Sequence, residues 1–186
     1  MKAMADDRQR EVLMRFFKTA PGEYGEGDEF LGIRVPQTRR VVAEAADMPL
    51  KETEELIYSP WHEIRLCGFL ILTEKMRRLT LRRALDDPES MEKRENLVRF
   101  YLNHTHQANN WDLVDLSADK ITGRWLTTPS ISTEEEKTAV MDRLADSSCM
   151  WEQRIAMVST IEPTRQGDFR YVLRYAEKLK KHPHDL

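Results

Sequence analysis

The chain has 186 residues, 40% hydrophobic and 33% charged, enough to bury a core and coat it with charge without disulfide staples. With 7 Gly and 8 Pro it is neither collagen-like nor of low complexity. Its 29 Lys and Arg against 32 Asp and Glu give a net charge of −3, which excludes a uniformly basic polyanion binder but leaves room for a local basic face.

Helical periodicity dominates the chain. Over Arg8–Thr19, Val12, Leu13, Phe16 and Phe17 recur on one side of a predicted helix. Ala20–Gly32 carries Pro21, Gly22, Gly25, Gly27 and Gly32 and is a loop by composition. Pro36 suits the first turn of a helix over VPQTRRVVAEAAD. Met48-Pro49 breaks it, and PLKETEELIYS opens the next. Ser59-Pro60 is predicted as N-cap and first residue of PWHEIRLCGFLILTEKM, whose apolar content suits a buried helix. After a break at Leu85–Pro88, a helix over Pro88–Thr105 should bury Leu97, Val98, Phe100, Tyr101 and Leu102. Asn109-Asn110 can cap WDLVDLSADKITGRWL, which ends at Pro129-Ser130. Ser132–Leu144 starts with a capping box on Glu135 or Glu136. Ser147 or Ser148 opens CMWEQRIAMVSTIE, and a last helix runs over about Gln166–Lys180. No stretch alternates as a strand does.

Three segments echo one another. SPWHEIRL, NNWDLVDLSA and SCMWEQRI each open an apolar helix with a cap, a Trp and an acid. Their interval of roughly 45 residues is the length of a HEAT-type helical pair. Stacked pairs of this kind form a solenoid with a concave face. In this pattern Trp61 is expected in the core and Arg65 at a repeat junction.

Trp111 and Asp115 stand four apart and share one helix face, with Val114 and Ile121 directed to the core. Asp112 lies off that face, where it favours the helix N-terminus. Arg154 sits at the margin of an apolar face formed by Ile155, Val158 and Ile161, one repeat later. Two readings follow for each. Trp111 is either a packed aromatic beside a solvated acid or part of a binding surface. Arg154 either binds a phosphate or forms an ion pair with Asp115. Other chemistry finds no support. His104 and His106 lack a third ligand, and no nucleophile elbow, phosphate-binding Gly loop or zinc-protease motif occurs. Cys67 and Cys149 have no metal-ligand spacing and fit a reducing, cytoplasmic location. MKAMADDRQR lacks the apolar core of a signal peptide, and no apolar run is long enough to span a bilayer.

On these residues the chain resembles the DNA alkylation repair family, the AlkD-type DNA glycosylases. YGEGDEFLGIRVPQTRR is similar to the family's N-terminal signature and SPWHEIRLCGFLIL to its next repeat. NNWDLVD and MWEQRIAMV are similar to the two segments that hold its cleft. The resemblance runs through most of the chain and implies an all-α fold, a right-handed superhelical solenoid of HEAT-like repeats, as one domain over residues 1–186. It implies a monofunctional, hydrolytic DNA N-glycosylase that removes 3-methyladenine and 7-methylguanine from duplex DNA without base flipping. Asp115 would be catalytic; Trp111 and Arg154 would bind substrate and DNA. No cofactor, metal or membrane is implied, and a monomer suffices for one lesion. The alternative is a non-catalytic HEAT-like module that binds DNA or protein. The family continues with a further helix that carries another Trp, whereas this sequence stops at His184-Asp185-Leu186. Trp125 lies in a different segment. The expectation is therefore a domain that lacks the family's C-terminal helices and is less stable for it. DNA binding would also require a basic face, for which Arg34, Arg39, Arg40, Lys120 and Arg124 are candidates, with Arg154, Arg165, Arg170 and Lys178.

Overall fold

The computed structural model describes residues 1–184. Asp185 and Leu186, where the expected departure from the family falls, lie outside the described residues. The fold is all-helical; among the described residues no strand forms, and one isolated parallel bridge pairs Glu29 with Trp61. The chain divides into two compact units, one over Met1–Lys75 and one from Met76 onward.

The first unit holds α1 (Asp7–Phe16), α2 (Val35–Glu44), α3 (Leu50–Ile57) and most of α4 (His62–Leu79). Asp6 caps α1 by accepting from the Gln9 amide at 3.0 Å. The expected apolar face of α1 is not buried: Val12 and Phe16 are 49% and 59% exposed, and only Phe17, just past the helix, enters the core. There Phe17 stacks on Phe30, and Phe30 on His62. The helix is held at its ends, because the Asp6 amide also donates to the Leu31 carbonyl at 2.9 Å. Pro36 stands in the first turn of α2, as its fixed φ favours.

Helix α4 starts later than Ser59-Pro60 predicts. Ser59 Oγ accepts from the Trp61 amide, Trp61 pairs with Glu29, and the helix begins at His62. Trp61 is consequently half-buried rather than in the core. Beyond it, Leu66, Phe69, Leu70, Ile71 and Leu72 are all buried, as an apolar helix requires.

Two buried charges of α4 organise the loop before α2. Glu63 accepts from the amides of Leu31, Gly32 and Ile33 at 2.9, 2.8 and 3.0 Å. Gly32 has φ +83°, and a Cβ there would overlap the Asp6 carbonyl, so this turn requires glycine. Asp28 accepts from His62 Nδ1 at 2.7 Å and from Arg65, all three side chains buried. Arg65 also donates to the Ser59 and Pro60 carbonyls, so it ties down the turn that precedes its own helix.

The second unit begins with the end of α4 and continues through α5 (Pro88–Asn103), α6 (Trp111–Asp115), α7 (Arg124–Thr127), α8 (Glu134–Ala145), α9 (Met150–Ser159), α10 (Ile161–Arg165) and α11 (Arg170–Leu179). α8 packs on α9, α9 on α6, α10 on α7, and α11 on both α8 and α9. In α5, Leu97, Val98 and Tyr101 are buried as predicted, whereas Phe100 and Leu102 are half-buried. Arg94, fully buried, was not foreseen. Its guanidinium donates to the carbonyls of Leu79, Ala84, Leu85 and Pro129 at 2.7–3.0 Å. Its neighbour Glu95 accepts from Trp125 Nε1 at 3.0 Å, from the Ser132 amide and hydroxyl, and from Ser130.

Three predicted boundaries shift. The expected helix over WDLVDLSADKITGRWL is interrupted by a turn at Leu116-Ser117 and a π-helical turn over Asp119–Gly123. Helix α9 is preceded by Cys149 rather than capped by a serine, Ser147 Oγ accepting instead from the Cys149 amide. The last predicted helix is present as α11, starting at Arg170 after the turn at Gly167, and the helix expected over CMWEQRIAMVSTIE ends at Ser159, with the short α10 following it. Thr133 and Glu136 do form the expected capping box of α8.

Two outcomes follow for the first unit. Glu63→Gln replaces one acceptor oxygen by a donor facing backbone donors. It should lower unfolding free energy by about 2–3 kcal/mol in urea titration. For Asp28, burial pushes the carboxyl up, but the hydrogen bond and charge of His62, with Arg65, hold it below its ordinary 3.8. A carboxyl depressed in the folded state contributes stability above its unfolded pKa and loses it as pH falls through the folded value. The stability advantage of the native chain over Asp28→Asn should therefore be full at about pH 7 and shrink below about pH 4. Chemical unfolding of both chains across that range checks it; a constant difference contradicts it.

Candidate functional site

Helix α6 is short because its sequence satisfies both ends locally. The buried Asn110 side chain accepts from the Trp111 amide at 2.9 Å and starts the helix. Asp112 Oδ1 accepts from the Leu113 amide, the N-terminal role expected of it, although its side chain is buried rather than solvated. Leu113 and Val114 are fully buried. Trp111 and Asp115 are half-buried, so the face they share is the one that reaches the surface.

The turn after Asp115 fixes the end of the helix. Ser117 is buried, its hydroxyl contacts Tyr101 at 3.0 Å, and it donates back to the Leu113 carbonyl. A hydroxyl bonded to the carbonyl four residues back loosens a helix. Here the helix resumes through the π turn, which places Gly123 against the end of α9. A Cβ on Gly123 would come within 2.8 Å of the Ser159 carbonyl oxygen and 3.1 Å of Glu162 Cβ. Glycine allows the two backbones to approach, and the approach sets where α9 lies beside α6.

On α9, Trp151, Ile155, Ala156 and Ser159 are buried. Val158 is half-buried and Ile161 exposed, so the apolar face expected around Arg154 is narrower than its sequence predicts. Arg154 stands on its flank. Its Nε donates to Asp115 Oδ1 at 2.9 Å and its Nη2 to Oδ2 at 2.7 Å. The ion-pair reading of Arg154 is therefore the arrangement present. The pair is bidentate, with side chains 35% and 20% exposed for Asp115 and Arg154. Such a pair fixes orientation through two parallel charge-assisted bonds. Its partial exposure limits its net contribution to about 1 kcal/mol.

Arg154 also lines a surface groove of about 440 Å³ between α9 and α11. Met150, Met157, Val158, Ala176 and Leu179 supply its apolar wall; Lys180, His182 and His184 stand with Arg154 as its titratable groups, and no carboxylate is among the described residues that line it. Sequence reading did not find this groove, because its wall is assembled from two helices whose apolar residues look like ordinary core.

The other expected phosphate contacts are already engaged within the second unit. Lys120 pairs with Asp119 at 2.8 Å, Arg165 with Asp119 and Glu162, and Arg124 donates to Thr80. Arg170 pairs with Asp168 and Glu134, and Lys178 with Asp146. Of these candidates for a basic face, Lys120, Arg165, Arg170 and Lys178 are in ion pairs, because acids from neighbouring turns and helices stand beside them. In the first unit Arg39 and Arg40 are exposed, and Arg34 donates to Gln9 through Nε and Nη2. Among the described residues no group of His, Cys, Asp and Glu is arranged to hold a metal ion, and no helix is long and apolar enough to cross a membrane.

A surface carboxylate on a short helix, with an aromatic one turn before it and a guanidinium across it, suits a cationic ligand on a polyanionic backbone. It offers no nucleophile–base pair. The family described as DNA alkylation repair enzyme matches residues 1–186. No curated protein and no solved structure matches the chain. The match spans the whole sequence, including the segments that carry Trp111, Asp115 and Arg154, and the chain belongs to the DNA alkylation repair enzyme family.

Proposed function

We propose that the protein is a DNA N-glycosylase that excises cationic alkylated purines, 3-methyladenine and 7-methylguanine, from duplex DNA. The observation that carries this reading is Asp115, held at the surface by the bidentate contact with Arg154, one turn after Trp111.

The substrate simplifies the chemistry. Alkylation at purine N3 or N7 makes the base a cation. When its bond to C1′ breaks, the electron pair goes to the base nitrogen and the base leaves neutral. No general acid has to protonate it. The sugar becomes an oxocarbenium ion, and a fixed carboxylate stabilises that charge by about 3 kcal/mol. Asp115 supplies the carboxylate. A water then adds to C1′ and gives up a proton, with Asp115 positioning it. The products are the free base and an abasic site, as in a monofunctional, hydrolytic enzyme. Trp111 lies against the cationic nucleotide, where cation–π attraction contributes about 1–2 kcal/mol. Arg154 holds a phosphate of the backbone. Because the lesion carries its own charge, the base need not be flipped into a pocket to be recognised. The scheme calls on no cofactor or metal, and one chain acts on one lesion.

A second reading is favoured by one observation. Arg154 neutralises Asp115 in the structure, which suits a HEAT-like module that holds DNA or a protein without base excision.

Single-turnover release of 7-methylguanine from a duplex separates the two. The native chain should release it, and Asp115→Asn should be slower by about 100-fold or more. Release by neither leaves the binding module. Binding to the duplex should fall steeply with salt, log K declining with log salt by about 0.9 for each phosphate engaged. Arg154→Gln should make that slope shallower by about one. Titrations by fluorescence anisotropy at several salt concentrations measure both slopes; an unchanged slope in the variant removes Arg154 from the phosphate contacts.

A further inference from the structure

Two roles compete for one guanidinium. In the glycosylase reading, on which this inference rests, Arg154 holds a phosphate and Asp115 offers negative charge to the sugar. In the structure Arg154 does neither service. Both its Nε and its Nη2 are spent on Asp115, and both carboxylate oxygens are occupied. A carboxylate paired in this way presents little net field to a developing cation.

The surroundings give Arg154 a second place to go. It lines the groove between α9 and α11, where Lys180, itself paired with Glu177, is the other charged side chain and no carboxylate stands among the described lining residues. An anion arriving there meets two cations and an apolar wall, and competes with one carboxylate for each cation. The pair with Asp115 is also reached by water, since both partners are partly exposed. Parting it therefore strands no buried charge, and the cost that protects buried ion pairs does not apply. The two non-bridging oxygens of a phosphate diester can accept from a guanidinium fork as the two oxygens of a carboxylate do, so the exchange replaces one bidentate contact by another.

We propose that Arg154 is a two-position latch. Without DNA it closes on Asp115; a DNA phosphate at the mouth of the Met150–Leu179 groove draws it away and uncovers the carboxylate. The catalytic charge then exists only where a phosphate backbone is already seated. The latch would keep an exposed carboxylate from repelling the DNA during approach, and would confine its field to the bound state.

The test uses the full chain with 15N-labelled arginine and an undamaged duplex, so that no excision is needed. Arg154→Lys identifies the Arg154 Nε–H resonance. In the free chain that resonance should move on Asp115→Asn, because the two side chains are paired. With duplex bound, the latch requires the same substitution to leave it unmoved. Asp115→Ala repeats the comparison should the first variant fold poorly. Inorganic phosphate at matched ionic strength separates sources: partial opening with phosphate alone means any phosphate oxygen suffices, and opening only with duplex means the diester backbone is the ligand. Both support the latch. A DNA-bound chain whose Arg154 resonance still follows the Asp115 substitution overturns it. If that chain also excises 7-methylguanine, the latch falls and the glycosylase reading stands. A chain that binds no duplex overturns both.

Discussion

The guanidinium of Arg94 donates to four main-chain carbonyls, two of them in the turn that follows α4 and one, from Pro129, in the loop before α8. In the first unit the same device appears with opposite sign, as Glu63 accepts from three consecutive amides of the loop before α2. Loops between short helices carry backbone groups that helices would otherwise satisfy. Here a single buried ion satisfies several at once, and Glu95 and Asp28 extend the pattern to side-chain donors. The ions are costly to bury alone, and the bonds they make offset that cost, although the Nε atoms of Arg94 and Arg65 remain without a partner. Helix placement, and hence the position of every surface side chain, depends on these ionic anchors as much as on the apolar contacts.

Much of this was legible in the sequence for particular reasons. The helices with strong start signals, such as Pro36 in α2 and the Thr133–Glu136 box of α8, fall where those signals place them. The break between α9 and α10 at Thr160 escapes the pattern, because MVSTIE keeps helical content across it. The π turn was missed because its residues, DKITG, have ordinary helical content; the hydroxyl of Ser117 bonding back to Leu113 is visible only in three dimensions. The exposed face of α1 defeats periodicity outright, since Val12 and Phe16 keep helical spacing without burial. At the candidate site, spacing on α6 correctly put Trp111 and Asp115 on one face. It left two partners open for Arg154, of which Asp115 is the one it meets in the structure. The buried roles of Arg94, Glu63 and Asp28 carried no signal, because a charged residue in a helix is most simply a solvated one.

The acidic balance of the chain acquires a physical sense from the pairing. Cations that a polyanion binder would leave free are here matched by acids within reach, from Lys120 with Asp119 to Lys178 with Asp146. Most of these pairs are exposed and worth little individually. At an exposed pair such as Lys178 with Asp146 a phosphate would displace the acid at small cost and the acid would return to water, whereas Asp119 is buried and would be left unpaired. Binding by exchange is weaker than binding by unpaired charge, but it keeps the unbound surface nearly neutral. On the proposed function, that favours discrimination between a correctly shaped backbone, which can reach several such pairs together, and an isolated anion, which reaches one.

The same reasoning explains why so small a feature as Gly123 matters to the chemistry. The reach of Arg154 to Asp115 is set by how α9 lies against the segment after α6, and that segment is a π turn closed on the Ser159 carbonyl. A π turn inserts an extra residue into a helix, which rotates everything beyond it relative to everything before. Asp115 stands before the turn and Gly123 at its end. The backbone approach at Gly123 thus fixes the α9 register, while the carboxylate stays with α6. In the latch proposed above, the guanidinium has to reach both acceptors and be able to leave the one that holds it. A side chain added at Gly123 would press on the Ser159 backbone and shift α9, altering that balance without touching Trp111, Asp115 or Arg154. The geometry of the site is in this sense held from behind, by a glycine whose only chemical property is the atom it lacks.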